Sequence, residues 1–555
     1  AERIPELAEP GRHLRQVAGQ LEQMQRLDTP VESYEGLVAQ LGAGPLGVKA
    51  STPLGADLWR PLSQGTLGPV AVREMLAVAT LLAGLPRPPS VLQEFAARFV
   101  NRYDTRFVPL LSALDEEHGP GFGQSAFREE IPLLDGLPTA PPPGAPPGLD
   151  AVEQRLLWRL LEATGRGDRE IVLEDGEFGE PRGPLPSSFA VLTTLAAASG
   201  HEVDRGHFQL LAPALITPSG ASFLGRFGAL DGRVEAMLRA HVAAEEERSG
   251  ELLVDVVELP SGRGANLVFR PPTGAYELVL QGRSGAPSER QIWADELLVG
   301  VRDDRFALFC PRLDRWVRPR ATNSLNPFSS DAPPLRRFIG HVEQQWRVGR
   351  TRLRWGLLSE SAPFLPRLTY RRSILQPARW NLRASDLAPL GRLTGAALVE
   401  AVGELCAQRQ MPRWVSVSEN DNTLPIDLQN PLSVEVLAHL LRSGKPAFLE
   451  EFLPALLPRP MRGDEGTFVH ELLVPFAGPA AAQPGPSTMR PVPSPAATGT
   501  VVPGGAPLYA KIHGGTTALE AFLLDELPEV LEAAGVTSWF FVRYEDAQGG
   551  HLRLR

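Results

Sequence analysis

Apolar residues recur at three- and four-residue spacing over residues 12–26 and 70–84, the pattern of helices that bury one face. Residues 89–102 open with Pro-Ser and keep the same period, so a third helix is predicted there. Further helices are expected at 151–164, 188–199 and 231–248. The period then changes. Short β-type runs at 252–258, 266–270, 275–281, 297–302, 305–310 and 315–318, divided by Gly, Pro and Asp, predict a meander of antiparallel strands. Helix returns at 335–347, 395–410 and 432–443, with strands at 413–418 and 424–428.

Two segments break the pattern. Pro138 to Pro147 (PTAPPPGAPP) cannot continue a helix and marks a linker or surface loop. Residues 477–507 are low in apolar bulk and dense in Pro, Gly, Ala and Ser, too little to offset their ordering entropy. A strand at 508–512, a helix at 516–533 and strands at 538–544 and 551–555 follow. The expected fold class is therefore α+β. A large mixed region over 1–476, built of helices and antiparallel sheet, is joined by the linker 477–507 to the start of a smaller α+β domain at 508–555.

Composition sharpens this. The chain has 555 residues, 43% hydrophobic and 22% charged, a globular balance. Its 53 glycines and 54 prolines exceed the usual share of roughly 12% and call for many turns. The net charge of −10 excludes a surface basic all over, but not a local basic patch for nucleic acid. Lys49, Lys445 and Lys511 are the only lysines, so nearly every cation is an arginine fork suited to carboxylates and phosphates. Cys310 and Cys406 cannot build a disulfide framework or a zinc site. No signal peptide and no membrane-spanning apolar run is present, so a soluble cytoplasmic protein is expected.

Simple motifs fail. Gly42-Ala43-Gly44-Pro45-Leu46-Gly47 matches GxGxxG as a string, but it follows a helix and leads into none, so it reads as a helix end. His470-Glu471 lacks the second histidine of a zinc protease, and no metal site is expected. Two arginine pairs carry more. Arg263 and Arg270 flank a glycine turn and a short strand, either as solvated hairpin cations or as an anion grip. His551, Arg553 and Arg555 alternate with Leu552 and Leu554. Period two puts the cations on one strand face, which is either half-exposed or a surface for an acidic substrate. Trp539-Phe540-Phe541 reads as core and edge rather than as a base-stacking platform.

Together these segments resemble the lanthipeptide dehydratases. The resemblance is carried by FVNRY (99–103) followed by VPLL (108–111) and DEEHG (115–119), and by LPSGRGANLVFRP (259–271). It continues through PFLPRLTYRRSILQPARWNL (363–382), NDNTLPIDLQNPLSVEVL (420–437) and WFFVRYEDAQGGHLRLR (539–555). It implies two active sites. One takes glutamate from glutamyl-tRNA and esterifies it onto a Ser or Thr hydroxyl of a precursor peptide. The other eliminates glutamate to leave dehydroalanine or dehydrobutyrine.

The resemblance also implies residue roles. Asp57, in Ala56-Asp57-Leu58-Trp59-Arg60-Pro61, matches an acidic glutamylation position. Arg263 and Arg270 become grips for glutamyl-tRNA, and Arg553 and Arg555 match paired arginines of the elimination site. No cofactor is implied beyond glutamyl-tRNA as co-substrate. A homodimer and a partner cyclase or other modifying enzymes are implied partners. Both ends look cut: the family's early arginine-rich segment would precede residue 1, and its elimination histidine and a further arginine would follow residue 555. A precursor-peptide-binding protein without catalysis, or an aminoacyl-tRNA-dependent transferase without elimination, are the alternative readings.

Overall fold

The computed structural model describes residues 8–24, 29–45, 65–87, 90–115, 119–122, 148–179, 185–260, 264–329, 332–382, 386, 390–419, 422–442, 448–464, 466–478, 509–536, 538–546 and 549–554. The chain divides into two compact units, Ala1–Pro61 with Pro260–Leu267, and Leu62–Leu259 with Val268–Arg555. The first contains the helices Ala8–Gln23 and Val31–Ala43, whose inward residues are Val17 and Leu37. The second helix ends at Gly44, so the GxGxxG string begins at a helix terminus.

The second unit is α+β and is organised on four main sheets. In the largest, seven strands run in the order Val108–Pro109, Leu298–Arg302, Arg305–Cys310, Arg315–Arg320, Leu252–Val257, Tyr276–Val279 and Gln291–Trp293. The expected antiparallel meander holds only on one side. Leu298–Arg302, Arg305–Cys310 and Arg315–Arg320 pair antiparallel, but from Arg315–Arg320 onward every pairing is parallel. Parallel neighbours need crossover connections, which local alternation does not encode. One face of this sheet buries Val299, Phe306, Leu308 and Val317 against Phe95 and Phe99 of helix Leu92–Tyr103 and Phe338 and Val342 of helix Pro334–Gln344.

The six-stranded sheet runs Glu170–Leu173, Arg367–Tyr370, Ser373–Gln376, Gln209–Ile216, Ser188–Ala196, Leu472–Ala477 and packs on helices Pro69–Gly84 and Ala151–Arg166. Asp150 starts the latter helix with a capping box: its carboxylate accepts from the Val152 and Glu153 amides, and Glu153 reaches back to its own. The expected helix at 188–199 is instead the strand Ser188–Ala196, buried along almost its whole length. With both faces covered, its apolar run has no strand alternation to display. The expected strand at 266–270 is replaced by a short helix, Ala265–Val268.

A five-stranded antiparallel sheet, Phe364–Leu365, Arg379–Asn381, Phe448–Glu451, Trp414–Glu419 and Asn422–Asp427, lies against helices Gly395–Arg409 and Pro431–Arg442. Finally, Ala510–His513, Gly549–Leu554 and Phe541–Asp546 form a three-stranded antiparallel sheet covered by the helical run from Thr516 to Ala533. The Pro-rich segment 138–147 and nearly all of 477–507 lie outside the described residues.

Candidate functional site

Gly549–Leu554 is the centre strand of the three-stranded sheet. Alternation sends Leu552, 1% exposed, onto Leu519, Leu523 and Leu527 of the helical run. The opposite face carries His551 and Arg553, as period two requires. Arg553 Nε lies 3.2 Å from His551 Nε2, and its guanidinium sits 3.7 Å from the Tyr544 ring centroid. His551 is buried and stacks on the His513 ring at 4.8 Å, with Tyr544 tilted against it at 5.4 Å. Lys511 lies directly across the ladder from Arg553. The result is a cationic face whose guanidinium is oriented by an aromatic plane. Such a plane presents a fork to a carboxylate in a defined orientation. Arg555 lies outside the described residues. Trp539 and Phe541 remain exposed near this sheet's edge, stacked on one another at 6.1 Å.

Asp57 and Arg263 also lie outside the described residues. Arg270 is described, and it is not a surface cation. Its side chain is 5% exposed and donates to Glu277 at 3.0 Å, with Asp255 at 3.9 Å. Ser284 closes the other oxygen of Glu277. The Arg270 fork therefore faces into the large sheet, and acting as an anion grip would require opening this pair.

Beside it lies a polar interior that sequence patterning did not reveal. Arg320, on the central strand Arg315–Arg320, reaches Asp255 at 2.7 Å, Glu245 at 2.9 Å and Glu246 at 3.1 Å. Thr273 and the Gly274 amide complete Asp255 at 3.2 and 3.1 Å. Glu245 Oε1 accepts from Ser188, from Ser219 at 2.6 Å and from the Gly220 amide at 3.2 Å. Burial pushes the Glu245 carboxyl up, but His241, the Arg320 charge and the two hydroxyls outweigh it and hold it at about 2. Burial pulls Arg320 down, and Asp255 and Glu245 more than reverse this.

Ser188, His241 and Glu245 have the composition of a nucleophilic triad, with Ser188 Oγ 3.0 Å from His241 Nε2. The connectivity is wrong for one. The same imidazole nitrogen faces Glu245 at 3.4 Å, and the Ser188 proton goes to the carboxylate. A carboxylate neutralised by Arg320 is also a poor base, so this cluster is structural. The one signal available in the sequence was Asp255 inside the apolar run LLVDVV. Among the described residues no group of His, Cys, Asp and Glu is placed to hold a metal ion, and no helix is long and apolar enough to cross a membrane.

A family model described as lantibiotic dehydratase, N terminus, matches residues 1–437, and one described as lantibiotic biosynthesis dehydratase C-term matches residues 508–555. The nisin biosynthesis protein NisB of Lactococcus lactis subsp. lactis is 24% identical over 227 residues, covering 40% of this chain and 21% of that protein. The crystal structure of the tRNA dependent lantibiotic dehydratase MibB from Microbispora sp. 107891 is 25% identical with a TM-score of 0.66, covering 98% of this chain and 52% of that one. The glutamylation domain of TbtB from thiomuracin biosynthesis, bound to 5'-phosphodesmethylglutamycin, shares the fold at 22% identity and a TM-score of 0.56, covering 83% of this chain and 57% of that one. The chain thus spans about half the length of these solved structures and about a fifth of NisB.

Proposed function

This chain belongs to the lantibiotic dehydratase family, and on that premise we propose that it dehydrates Ser and Thr side chains of a ribosomally made precursor peptide in two steps. In the first, the side-chain oxygen attacks the ester carbonyl of glutamyl-tRNA. The new C–O bond forms, the tRNA hydroxyl leaves, and the peptide carries a glutamyl ester. In the second, a base removes the Cα proton, the Cβ–O bond breaks, and glutamate leaves with the electron pair. Dehydroalanine or dehydrobutyrine remains.

The logic is one of leaving groups. Hydroxide leaves poorly, while a carboxylate held by cations leaves readily. The observation that carries the reading is Arg553, whose aromatic-stacked fork stands on a strand face opposite the packed Leu552. In this proposal Arg553, with Arg555, receives the charge of the enolate and the departing glutamate. His551, buried beside Arg553, positions that fork and is not the base. Asp57 is assigned to glutamylation. Since the Arg270 fork is engaged by Glu277, Arg263 takes the grip on the acyl donor. The likeness to a tRNA dependent lantibiotic dehydratase supports the choice of donor. The donor also places the reaction in the cytoplasm. Precursor peptide and glutamyl-tRNA are the partners, and a homodimer and a partner cyclase are further assignments of the proposal.

The test combines the full-length polypeptide with precursor peptide, tRNA, glutamate and glutamyl-tRNA synthetase, read by mass spectrometry. One water should be lost per modified Ser or Thr, and ribonuclease should abolish the loss. Arg553→Ala and Arg555→Ala should accumulate glutamylated peptide. Dehydration at the wild-type rate by those variants would sink the elimination assignment, and ribonuclease-resistant activity would sink the tRNA dependence.

A further inference from the structure

The six-stranded sheet opens at its middle. Leu192 pairs with Ala214 and Thr194 with Leu211, so Gln209–Ile216 carries one residue more than Ser188–Ala196 between the two pairs. Ala212, inside that interval, has a φ of +45°, in the left-handed region. A bulge re-aims side chains, and an unfavourable φ persists only where the surroundings fix it. Beside the bulge lies a cavity of about 160 Å³. Leu192, Leu211, Pro377, Phe452, Leu453 and Pro454 give it an apolar wall, and Arg352 and Glu471 line it as charges. An apolar cavity of about 150 Å³ accepts a molecule as large as benzene, so this space exceeds what a single water needs.

The polar groups of the cavity are of two kinds. Some are already engaged. The Thr193 hydroxyl donates to the Leu211 carbonyl at 3.1 Å, and the Thr194 hydroxyl to the His470 carbonyl at 3.0 Å. Glu451 accepts from the Arg367 fork at 2.7 and 2.6 Å and from the Ala378 amide at 2.9 Å. Arg352 and Glu471 are not engaged. Among the described residues, neither side chain makes a hydrogen bond or an ion pair. Glu471 is nonetheless near enough to favour the charged form of Arg352. Burial chiefly, and then Arg354, act the other way, and Arg352 is lowered from its ordinary value. Glu471 is exposed and Arg352 half-buried, so both can be reached from solvent.

A cation and a carboxylate that feel each other without touching leave a gap with opposite charge on its two sides. Such a gap is complementary to a molecule that carries both charges on one carbon. An α-amino acid is that molecule: its carboxylate fits the planar guanidinium fork, and its ammonium fits the carboxylate. The rest of the wall is apolar, and the volume admits only a short side chain. We propose that this cavity binds a short aliphatic amino acid of the valine class, with its carboxylate on Arg352, its ammonium on Glu471 and its side chain against Leu211 and Leu453. None of these residues takes part in the proposed dehydration, so the site is a separate one. Its wall combines strands of the six-stranded sheet with the corner that follows Phe448–Glu451 of the five-stranded sheet. The bound amino acid therefore braces one sheet against the other.

The test titrates L-valine into the full-length protein by calorimetry. Isobutylamine, which lacks the carboxylate, and isovalerate, which lacks the ammonium, serve as half-ligands. L-Valine should bind saturably and raise the melting temperature. Each half-ligand should bind at least about ten-fold more weakly, the effect of one charged hydrogen bond. Glu471→Gln should weaken L-valine by about the same factor and leave isovalerate unchanged, while Arg352→Gln should weaken L-valine and leave isobutylamine unchanged. Melting temperatures control for folding, and Glu471→Gln, at an exposed position, decides the matter if Arg352→Gln does not fold. Absence of saturation by about 10 mM L-valine, or wild-type affinity in a folded Glu471→Gln variant, would overturn the proposal. So would displacement by an equal concentration of L-glutamate, which would assign the binding to a glutamyl site.

Discussion

Arg320 and Asp255 stand directly opposite each other on adjacent parallel strands, and their side chains meet at 2.7 Å in a site where both are almost completely buried. Removing the cation strands Asp255 and Glu245 as unpaired charges in the interior. Arg320→Met is expected to cost about 3–5 kcal/mol, read from the denaturant midpoint. Combining it with Asp255→Asn should cost less than the two single losses added, because the pair is one interaction. Strict additivity in that cycle would show that the two side chains are independent.

Glu245 makes acid stability a second test. Its carboxyl is held at about 2 in the fold against an ordinary 4.5. A depressed acid contributes stability in full above its unfolded value and loses it as pH falls through the folded value. The contribution, roughly 3 kcal/mol, should therefore fade between about pH 4.5 and pH 2. Glu343 acts in the opposite sense: burial raises its carboxyl, so its contribution is lost as pH rises. The difference between wild type and Glu245→Gln isolates the first effect. Unfolding free energy should fall less steeply with acid in the variant, and parallel curves would refute the assignment.

Tyr544 is expected to act through Arg553. Tyr544→Leu removes the ring beneath the guanidinium, worth about 0.5–2 kcal/mol. Elimination of glutamate should slow by about three- to thirty-fold on that basis, with glutamylation unchanged. Tyr544→Phe keeps the ring and should restore the rate. A Phe variant as slow as the Leu variant would mean that the phenol, not the stacking, matters.

Gly349 has a φ of +62°, and a Cβ there would fall on the Leu82 carbonyl oxygen and the Ala83 backbone. That carbonyl also accepts from the Arg350 amide at 2.9 Å. Gly349→Ala combines left-handed strain with a backbone clash and should cost about 3 kcal/mol or more. A melting temperature within a degree or so of wild type would contradict this.

Helices with one buried stripe, such as Pro69–Gly84 and Gly232–Arg248, were readable from their periodicity within a residue or two. Ser188–Ala196 was not, because a strand covered on both faces displays no alternation. The parallel half of the large sheet was hidden for another reason: Arg315–Arg320 pairs with Leu252–Val257 from more than fifty residues away, and no local pattern records that choice. The candidate sites divide in the same way. The Arg553 face follows from a two-residue period in HLRLR and could be read directly. Arg270 looked like a surface cation because the sequence shows its glycine turn but not Glu277 beneath it. Arg320 and its partners Asp255, Glu245 and Glu246 are brought together only by tertiary pairing.

The network around Arg320 has a dynamic consequence. One side chain ties the parallel strand Leu252–Val257 and the helix Gly232–Arg248 to the strand Arg315–Arg320, and Ser188 attaches the six-stranded sheet through Glu245. None of these elements can open alone without exposing an uncompensated charge in the interior of the others. Their backbone amides should therefore exchange with solvent hydrogen together, through one shared opening near the cost of global unfolding. The polar seam joins two sheets with separate apolar cores into a single cooperative unit.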